Sequence, residues 1–160
     1  EYSSSITVNA EKLITLVNNV LDLSRLESGM MRFDIQSYDV VQLCRDAIYM
    51  AGMQEGNLAN VIFEHDVESL MFRIDSSRFH KLMTSLFTAK DTVTIHCKLT
   101  GTNHEREIEL AVTGSPLSIS SSDRLQQIQH DINRLFVGIS HGSYTVESEE
   151  ARITVCFPLA

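Results

Sequence analysis

The sequence lacks the features by which membrane-spanning and exported proteins are usually identified. Its 160 residues contain no run of 18 apolar residues, so we predict no membrane-spanning helix. It also has no signal-peptide pattern, in which a basic stretch precedes a short apolar one. Because the chain starts at Glu1, inside a predicted helix, we expect a cytoplasmic fragment of a longer protein, whose other parts are free to include a membrane anchor.

Basic residues are scarce in this chain. Lys and Arg together number 13, against 21 Asp and Glu, which leaves a net charge of −8. A groove that follows nucleic-acid phosphates needs a basic surface, and an anionic membrane attracts basic surfaces for the same reason. We therefore predict neither a nucleic-acid partner nor membrane contact for this chain.

Cysteine is rare as well, and the three cysteines, Cys44, Cys97 and Cys156, are far apart in the sequence. Without a Cys-x-x-Cys pair, they are predicted to be structural thiols of a protein in a reducing compartment. The sequence also shows no metal-ligand pair and no catalytic-triad spacing. We therefore predict no metal ligand and no catalytic residue.

The first residues form a pattern typical of helices that pair with one another. Residues 3–28 are predicted to be one helix, which Gly29 ends as a C-cap. Five apolar residues recur every seven positions in two offset rows: Ile6, Leu13 and Val20, with Leu16 and Leu23. Such a seam favours packing against other helices, so these five are the predicted dimer interface. The alternative is an amphipathic helix that packs on its own domain.

The rest of the chain alternates between short strands and helices. Strands are predicted at 31–35, 61–63, 71–74, 93–99, 108–112, 144–146 and 153–157, and helices at 40–54, 76–89 and 123–140. Most strands alternate polar and apolar residues, which indicates a sheet with one solvated face and helices on the other. The predicted fold is α+β, a two-layer α/β sandwich with a mixed, mostly antiparallel sheet. The last helix is expected to bury Leu125, Ile128, Ile132, Leu135 and Ile139.

Four segments, taken in order, resemble the sensor histidine kinases of two-component systems. Residues 21–29, Leu-Asp-Leu-Ser-Arg-Leu-Glu-Ser-Gly, resemble the end of the family's dimerisation helix. Residues 74–79 resemble the entry to its first nucleotide-binding helix, residues 141–148 its final hairpin, and residues 153–159 its closing strand. The resemblance implies that residues 1–29 end a dimerisation domain. It implies that residues 30–160 form a catalytic ATP-binding domain of the GHKL, or Bergerat, fold.

The resemblance also implies a site for ATP and magnesium, and this sequence departs from that site at most positions. The family's two asparagines, which contact the phosphates and the magnesium ion, fall at Ser85 and Ala89. The aspartate that accepts the adenine amino proton falls at Val112. Of the glycines that follow it, Gly114 is kept and Pro116 replaces the next. Proline has no backbone N–H to donate, and magnesium requires oxygen ligands, of which alanine has none.

No shift of register restores the missing groups. The sequence has no asparagine between Asn60 and Asn103, and no aspartate between Asp91 and Asp123. We therefore predict a degenerate nucleotide site without ATP or magnesium. The predicted module acts in signal transduction by dimerisation and docking, with a second copy and a response regulator or receiver domain as partners. The alternatives are an active ATP-dependent protein-histidine kinase with an atypical site, and an unrelated regulatory module of similar topology.

Overall fold

The computed structural model describes residues 2–55, 61–87, 92–102, 104–118 and 123–159, without the side chains of residues 2, 3, 54 and 55. The helices are α1 (Tyr2–Ser28), α2 (Val40–Glu55), α3 (Ser76–Ser85) and α4 (Arg124–Ile139). The strands are β1 (Ile35–Asp39), β2 (Val61–His65), β3 (Met71–Asp75), β4 (Val93–Thr102), β5 (Glu105–Thr113), β6 (Ser143–Glu147) and β7 (Arg152–Pro158). Within these ranges, no helix is both long and apolar enough to cross a membrane.

Five of the strands form the main sheet, in the order β2-β4-β5-β7-β6. The β2–β4 pair is parallel and the other three pairs are antiparallel. The strands β1 and β3 form a separate antiparallel pair. The predicted α+β fold with a mixed, mostly antiparallel sheet is therefore confirmed.

The sheet has one buried and one half-exposed face, because successive side chains of a strand point to opposite sides. On β4, Val93, Ile95 and Cys97 are fully buried, whereas the residues between them are half-exposed. The inward residues of β4, β5 and β7 form one apolar core with residues of α2, α3 and α4. The helices thus cover one face, as the two-layer prediction requires.

A chain of aromatic rings joins the elements at the centre of this core. Phe72 on β3 lies 5.7 Å from Phe79 on α3 and 5.7 Å from Phe157 on β7, measured between ring centroids. Phe136 on α4 lies 6.4 Å from Phe157. Phe72, Phe79 and Phe157 are fully buried, and with Phe136 they link the small strand pair, two helices and the main sheet.

The first strand differs from its predicted position. It was expected at 31–35, from the alternation of apolar residues, but β1 runs from Ile35 to Asp39. Pairing with β3 decides its position, since Ile35 lies opposite Asp75 and Asp39 lies opposite Met71. The backbone N–H of Asp34 also donates to a carboxylate oxygen of Asp75, at 2.8 Å.

The buried face of α4 also differs from the prediction. Ile132 is buried as expected, but Leu135 is half-exposed and Ile139 is exposed. The buried positions are Ile132, Asn133, Phe136 and Val137. The prediction followed only the apolar residues, and the true stripe includes a polar one, which packing on α3 and β6 places inside. The helix α3 also differs, since it ends at Ser85 rather than near residue 89.

Replacing Phe79 by Ala should lower the free energy of unfolding by about 3–5 kcal/mol, because it leaves a cavity among the rings of Phe72 and Phe157. Urea unfolding followed by circular dichroism measures this loss. The matched control is Tyr49→Ala, which removes an exposed aromatic side chain of α2. It should change the free energy by no more than about 0.5 kcal/mol. Equal losses in the two variants would contradict this assignment of the core.

Candidate functional site

A cleft of about 410 Å³ lies between α1, α3 and α4. This volume is within the range of small-molecule pockets in proteins. The side chains of Leu26, Leu82, Ile132 and Phe136 supply its apolar part. Its polar part consists of Thr15, Asn18, Asn19 and Asp22 from α1, Arg78, Lys81, Thr84 and Ser85 from α3, and Gln129 and Asn133 from α4.

The start of α3 is held in place by its N-cap residue, Asp75. One carboxylate oxygen of Asp75 accepts a hydrogen bond from the backbone N–H of Arg78, at 2.9 Å. This is the usual N-cap arrangement, which satisfies an N–H that the helix itself leaves unpaired. The other oxygen accepts from the backbone N–H of Asp34.

At the other end of α3, the hydroxyl of Ser85 makes two hydrogen bonds within the protein. It donates to the carbonyl oxygen of Leu82 at 2.6 Å and accepts from the amide nitrogen of Asn133 at 3.1 Å. A hydroxyl has one proton to donate. In this arrangement Ser85 therefore has no proton left for a phosphate.

Asn133 is the polar centre of the site. Its side chain is only 1% exposed, and its amide nitrogen lies 3.1 Å from the Ser85 hydroxyl and 3.4 Å from that of Tyr144. Its amide oxygen accepts from Gln129 at 2.9 Å. A buried amide without partners would cost about 1–3 kcal/mol, so this network favours one relative position of α3, α4 and β6.

The network continues to His130 and Tyr144. A ring nitrogen of His130, Nδ1, lies 2.9 Å from the hydroxyl of Tyr144, and the guanidinium of Arg134 lies 5.6 Å from the centre of the Tyr144 ring. Burial lowers the pKa of His130, because the imidazolium loses water, while a hydrogen bond with the backbone of Leu117 acts in the opposite direction. Burial likewise raises the pKa of Tyr144.

The structure does not bring all five predicted nucleotide-site positions together. Ser85 lines the cleft, whereas Val112, Gly114 and Pro116 are not among its lining residues, and Ala89 lies outside the described residues. Val112 is fully buried in the core, where it pairs with Ile95 and Ile153 on the neighbouring strands.

The backbone conformation at Gly114 explains why this position is a glycine. Gly114 has a φ of 86°, and its N–H donates to the carbonyl oxygen of Ala151 at 2.8 Å. A Cβ at this position would lie 2.5 Å from the carbonyl oxygen of Thr92. Pro116 then begins a short 3-10 helix, Pro116–Ser118, whose Leu117 joins the core. The turn therefore requires Gly114 whether or not a nucleotide binds.

The five residues predicted to form a dimer interface lie on two sides of α1. Leu16 and Leu23 are half-buried, towards the side of the helix that carries the buried Leu26. The other three are exposed and lie among further exposed apolar residues. The whole exposed stripe consists of Ile6, Leu13, Ile14, Val17, Val20 and Leu21.

No family model matches the chain. In sequence it is similar to hybrid signal transduction histidine kinase A of Dictyostelium discoideum, with 23% identity over 163 residues. That match covers 89% of this chain and 8% of the relative, so the chain spans less than a tenth of its length. In fold it is similar to the histidine kinase AdeS of Acinetobacter baumannii, with a TM-score of 0.67 and 15% identity, over 98% of this chain and 83% of AdeS.

These matches make the chain similar to sensor histidine kinases in sequence and in fold. A second solved structure, of histidine kinase ThkA in complex with response regulator protein TrrA, has a TM-score of 0.60 and 18% identity. It covers 99% of this chain and 50% of that one. The likeness to AdeS and ThkA therefore extends over α1 as well as the sandwich, which has the fold of the family's GHKL-type ATP-binding domain.

Several residues of this cleft and its network were not predicted from the sequence. Asn133, Gln129 and Tyr144 have no counterpart among the motif positions, although Gln129 and Asn133 have the four-residue spacing of neighbours on one helix face. A usable signal was Asn133 itself, which directly follows Ile132 and precedes Phe136 by three positions, so that helical spacing places it beside apolar residues. Buried polar residues need partners, so that position indicated a polar neighbour.

The stability of the fold should depend on pH through His130. Its pKa is about 6.5 in an unfolded chain and lower in the fold. As pH falls below about 6.5, the unfolded chain therefore binds the proton first, and stability is lost. We expect the stability advantage of the parent over His130→Gln to shrink as pH falls from about 7.5 to about 5.5.

Urea unfolding at several pH values tests this expectation. His104→Gln is the matched control for the loss of one histidine, since it makes the same replacement at an exposed position. A His130→Gln difference that is independent of pH, or one that widens on acidification, would contradict the assigned burial of His130.

Proposed function

We propose that this chain is a histidine-kinase signal-transduction module whose nucleotide site is degenerate and which acts by dimerisation and docking. The observation that carries the proposal is the pairing of Ser85 with Asn133. At the first family asparagine position, the only polar group is already committed to the protein's own network. The proposal has three parts, which concern nucleotide, self-association and docking.

The loss of nucleotide binding is supported by the surroundings of Val112. An adenine pocket needs an acceptor for the amino group of the base, and Val112 is an apolar side chain that packs between strands in the core. A carboxylate at this buried position would need a partner of its own to offset desolvation. At the second asparagine position, Ala89, the residue type has no ligand atom.

Self-association is supported by the two sides of α1. Successive residues of a helix are rotated by about 100°, so Asn19, Asp22 and Leu26, which line the cleft, share one side. The exposed apolar stripe that includes Leu13 and Val17 lies on the opposite side. Burying a Leu, Ile or Val side chain gains about 1.5–3 kcal/mol. A second copy of the same helix would cover this stripe. The cleft-lining side of each helix would stay packed on its own sandwich.

Docking of a response regulator or receiver domain is the third part of the proposal. It is supported by the likeness in fold to ThkA, whose solved complex contains a response regulator protein. With a degenerate site, such a partner would be held by the surface of the module rather than phosphorylated with ATP bound here.

The chain should not bind ATP with magnesium. Each missing charge-assisted contact is worth about 1.5–3 kcal/mol, so three losses weaken binding by about a thousandfold or more. Calorimetric titration with a non-hydrolysable ATP analogue and magnesium measures this directly. A dissociation constant in the low micromolar range would reject the degenerate site and favour an active kinase with an atypical one.

The chain should form a dimer that depends on concentration, and Val17→Glu with Val20→Glu should make it monomeric. Both valines are exposed on α1, and glutamate favours helices, so the helix itself should persist. Sedimentation velocity over a range of concentrations measures the state. Lys12→Glu is the matched control, because it changes the net charge by the same two units at an exposed position of α1 outside the stripe. If the parent and the double variant sediment as equal monomers, the dimer proposal is wrong.

A further inference from the structure

A small groove lies between α2 and α3, next to the cleft described above. Its volume is about 220 Å³, and Lys81 and Thr84 line both spaces. Met50 of α2 forms one side of the groove, and the other residues belong to α3: Ser77, His80, Lys81 and Thr84. Positions three and four apart share one face of a helix, as these four do.

His80 has a buried ring nitrogen that the fold does not use. In the part of the chain that the structure describes, its Nε2 atom is the only buried side-chain nitrogen or oxygen without a hydrogen-bond partner. Such an atom has lost its contact with water without gaining a hydrogen bond, which destabilises the folded state. A phenylalanine ring would fill the same space without this cost, so the stability of the fold does not explain the histidine.

The charges around the groove favour an anion. Lys81 has no ion-pair partner among the described residues, whereas Arg78 on the same helix is paired with Asp22 at 3.1 Å. None of the described residues that line the groove is acidic, although the chain has 21 Asp and Glu against 13 Lys and Arg. A carboxylate in this groove would therefore meet a cation that no acidic lining residue neutralises.

The hydrogen-bonding groups of the groove are mainly donors. Lys81 carries three N–H groups, Ser77 has a hydroxyl, and the neutral ring of His80 donates through Nε2 in the tautomer that has its hydrogen there. The hydroxyl of Thr84 differs, because it already donates to the carbonyl oxygen of Lys81, at 3.2 Å. An ionised carboxylate only accepts hydrogen bonds, so it matches the first three groups.

The size of the groove and the side chain of Met50 restrict the ligand further. Drug-sized ligands occupy pockets of about 300–1,000 Å³, so a groove of about 220 Å³ suits a smaller molecule. Met50 is 46% exposed and supplies an adaptable apolar surface beside the donors. A short aliphatic chain attached to the carboxylate would cover this surface.

We propose that the groove between α2 and α3 binds a short-chain carboxylic acid in its ionised form. Lys81 pairs with the carboxylate, Ser77 and His80 donate hydrogen bonds to it, and the aliphatic chain lies on Met50. The site goes beyond the proposed function, because it requires neither nucleotide nor a dimer and includes none of the five predicted nucleotide-site positions.

Titration with sodium butyrate, followed by NMR of the isotope-labelled chain, tests this site. We expect saturable shifts of the backbone amides of residues 77–84, with a dissociation constant in the millimolar range. Butyramide has nearly the same size but no charge, and it should bind about tenfold more weakly or worse, because the hydrogen bonds lose their charged acceptor. Sodium chloride at equal ionic strength is the control for screening.

His80→Phe separates binding from folding, because it removes the ring nitrogens and keeps a ring of similar shape. Butyrate binding should weaken about tenfold or more, while the midpoint of urea unfolding stays at or above that of the parent. Lys81→Met should weaken binding about threefold or more, since water screens the exposed ammonium group. Lys12→Met is its matched control, because it removes the same charge at an exposed position of α1, and it should leave binding unchanged.

Asn19→Ala distinguishes the groove from the larger cleft, which Asn19 lines. If this change weakens butyrate binding as much as His80→Phe does, the acid binds in the cleft and the proposal is wrong. The proposal is also wrong if residues 77–84 show no saturable shifts, if butyramide binds as tightly as butyrate, or if His80→Phe binds butyrate like the parent.

A second variant covers the case in which His80→Phe fails to fold or unfolds at clearly lower urea. Ser77→Ala removes a donor at an exposed position, and it should weaken butyrate binding about threefold. Unchanged binding in Ser77→Ala would then overturn the site. Tight ATP binding or a monomeric parent would reject the proposed function and leave this test valid.

Discussion

Asn133 needs partners for its amide, and much of the site depends on how that need is met. The amide is 1% exposed and takes its partners from α3, α4 and β6. Unsatisfied, it would cost more than most single contacts in the fold contribute. The end of α3, the middle of α4 and the final hairpin are therefore positioned by one polar group inside an otherwise apolar core.

This requirement explains how the protein's own side chains order the region around Ser85. In a nucleotide-binding relative, polar groups in this region would be expected to bind the ligand. Here Ser85 and Asn133 satisfy each other, and Val112 and Leu117 belong to the core. These contacts among its own side chains therefore stabilise the region.

The fold was largely predictable from local patterns. Alternation along β4, β5 and β7 and helical spacing in α2 and α3 each involve residues close in sequence, and the structure confirms these strands and helices. The errors occur where contacts with residues far away in the sequence determine the position of a strand or the buried side of a helix. Pairing with β3 placed β1 later than its apolar alternation suggested, and packing on α3 and β6 turned α4 so that Asn133 is buried while Ile139 is exposed.

For the candidate site, the sequence showed only which residue types stand at the motif positions of the resemblance. A missing asparagine or aspartate is visible in the residue types, so the positions Ser85, Ala89 and Val112 could be identified without any coordinates. The hydrogen bond between Asn133 and Ser85 could not be predicted in the same way. It joins residues 48 positions apart, and neither residue type indicates the other as its partner.

The sequence by itself determined the elements, the fold class and the likeness to histidine kinases, since periodicity and motif residues act over a few neighbouring positions. Only the tertiary structure decided which side of α1 meets the sandwich, which polar groups satisfy one another, and that Asp22 meets Arg78 across 56 positions. The physical reason is that apolar patterning states which residues leave water, whereas directional contacts depend on the final distances between elements that the chain brings together from far apart.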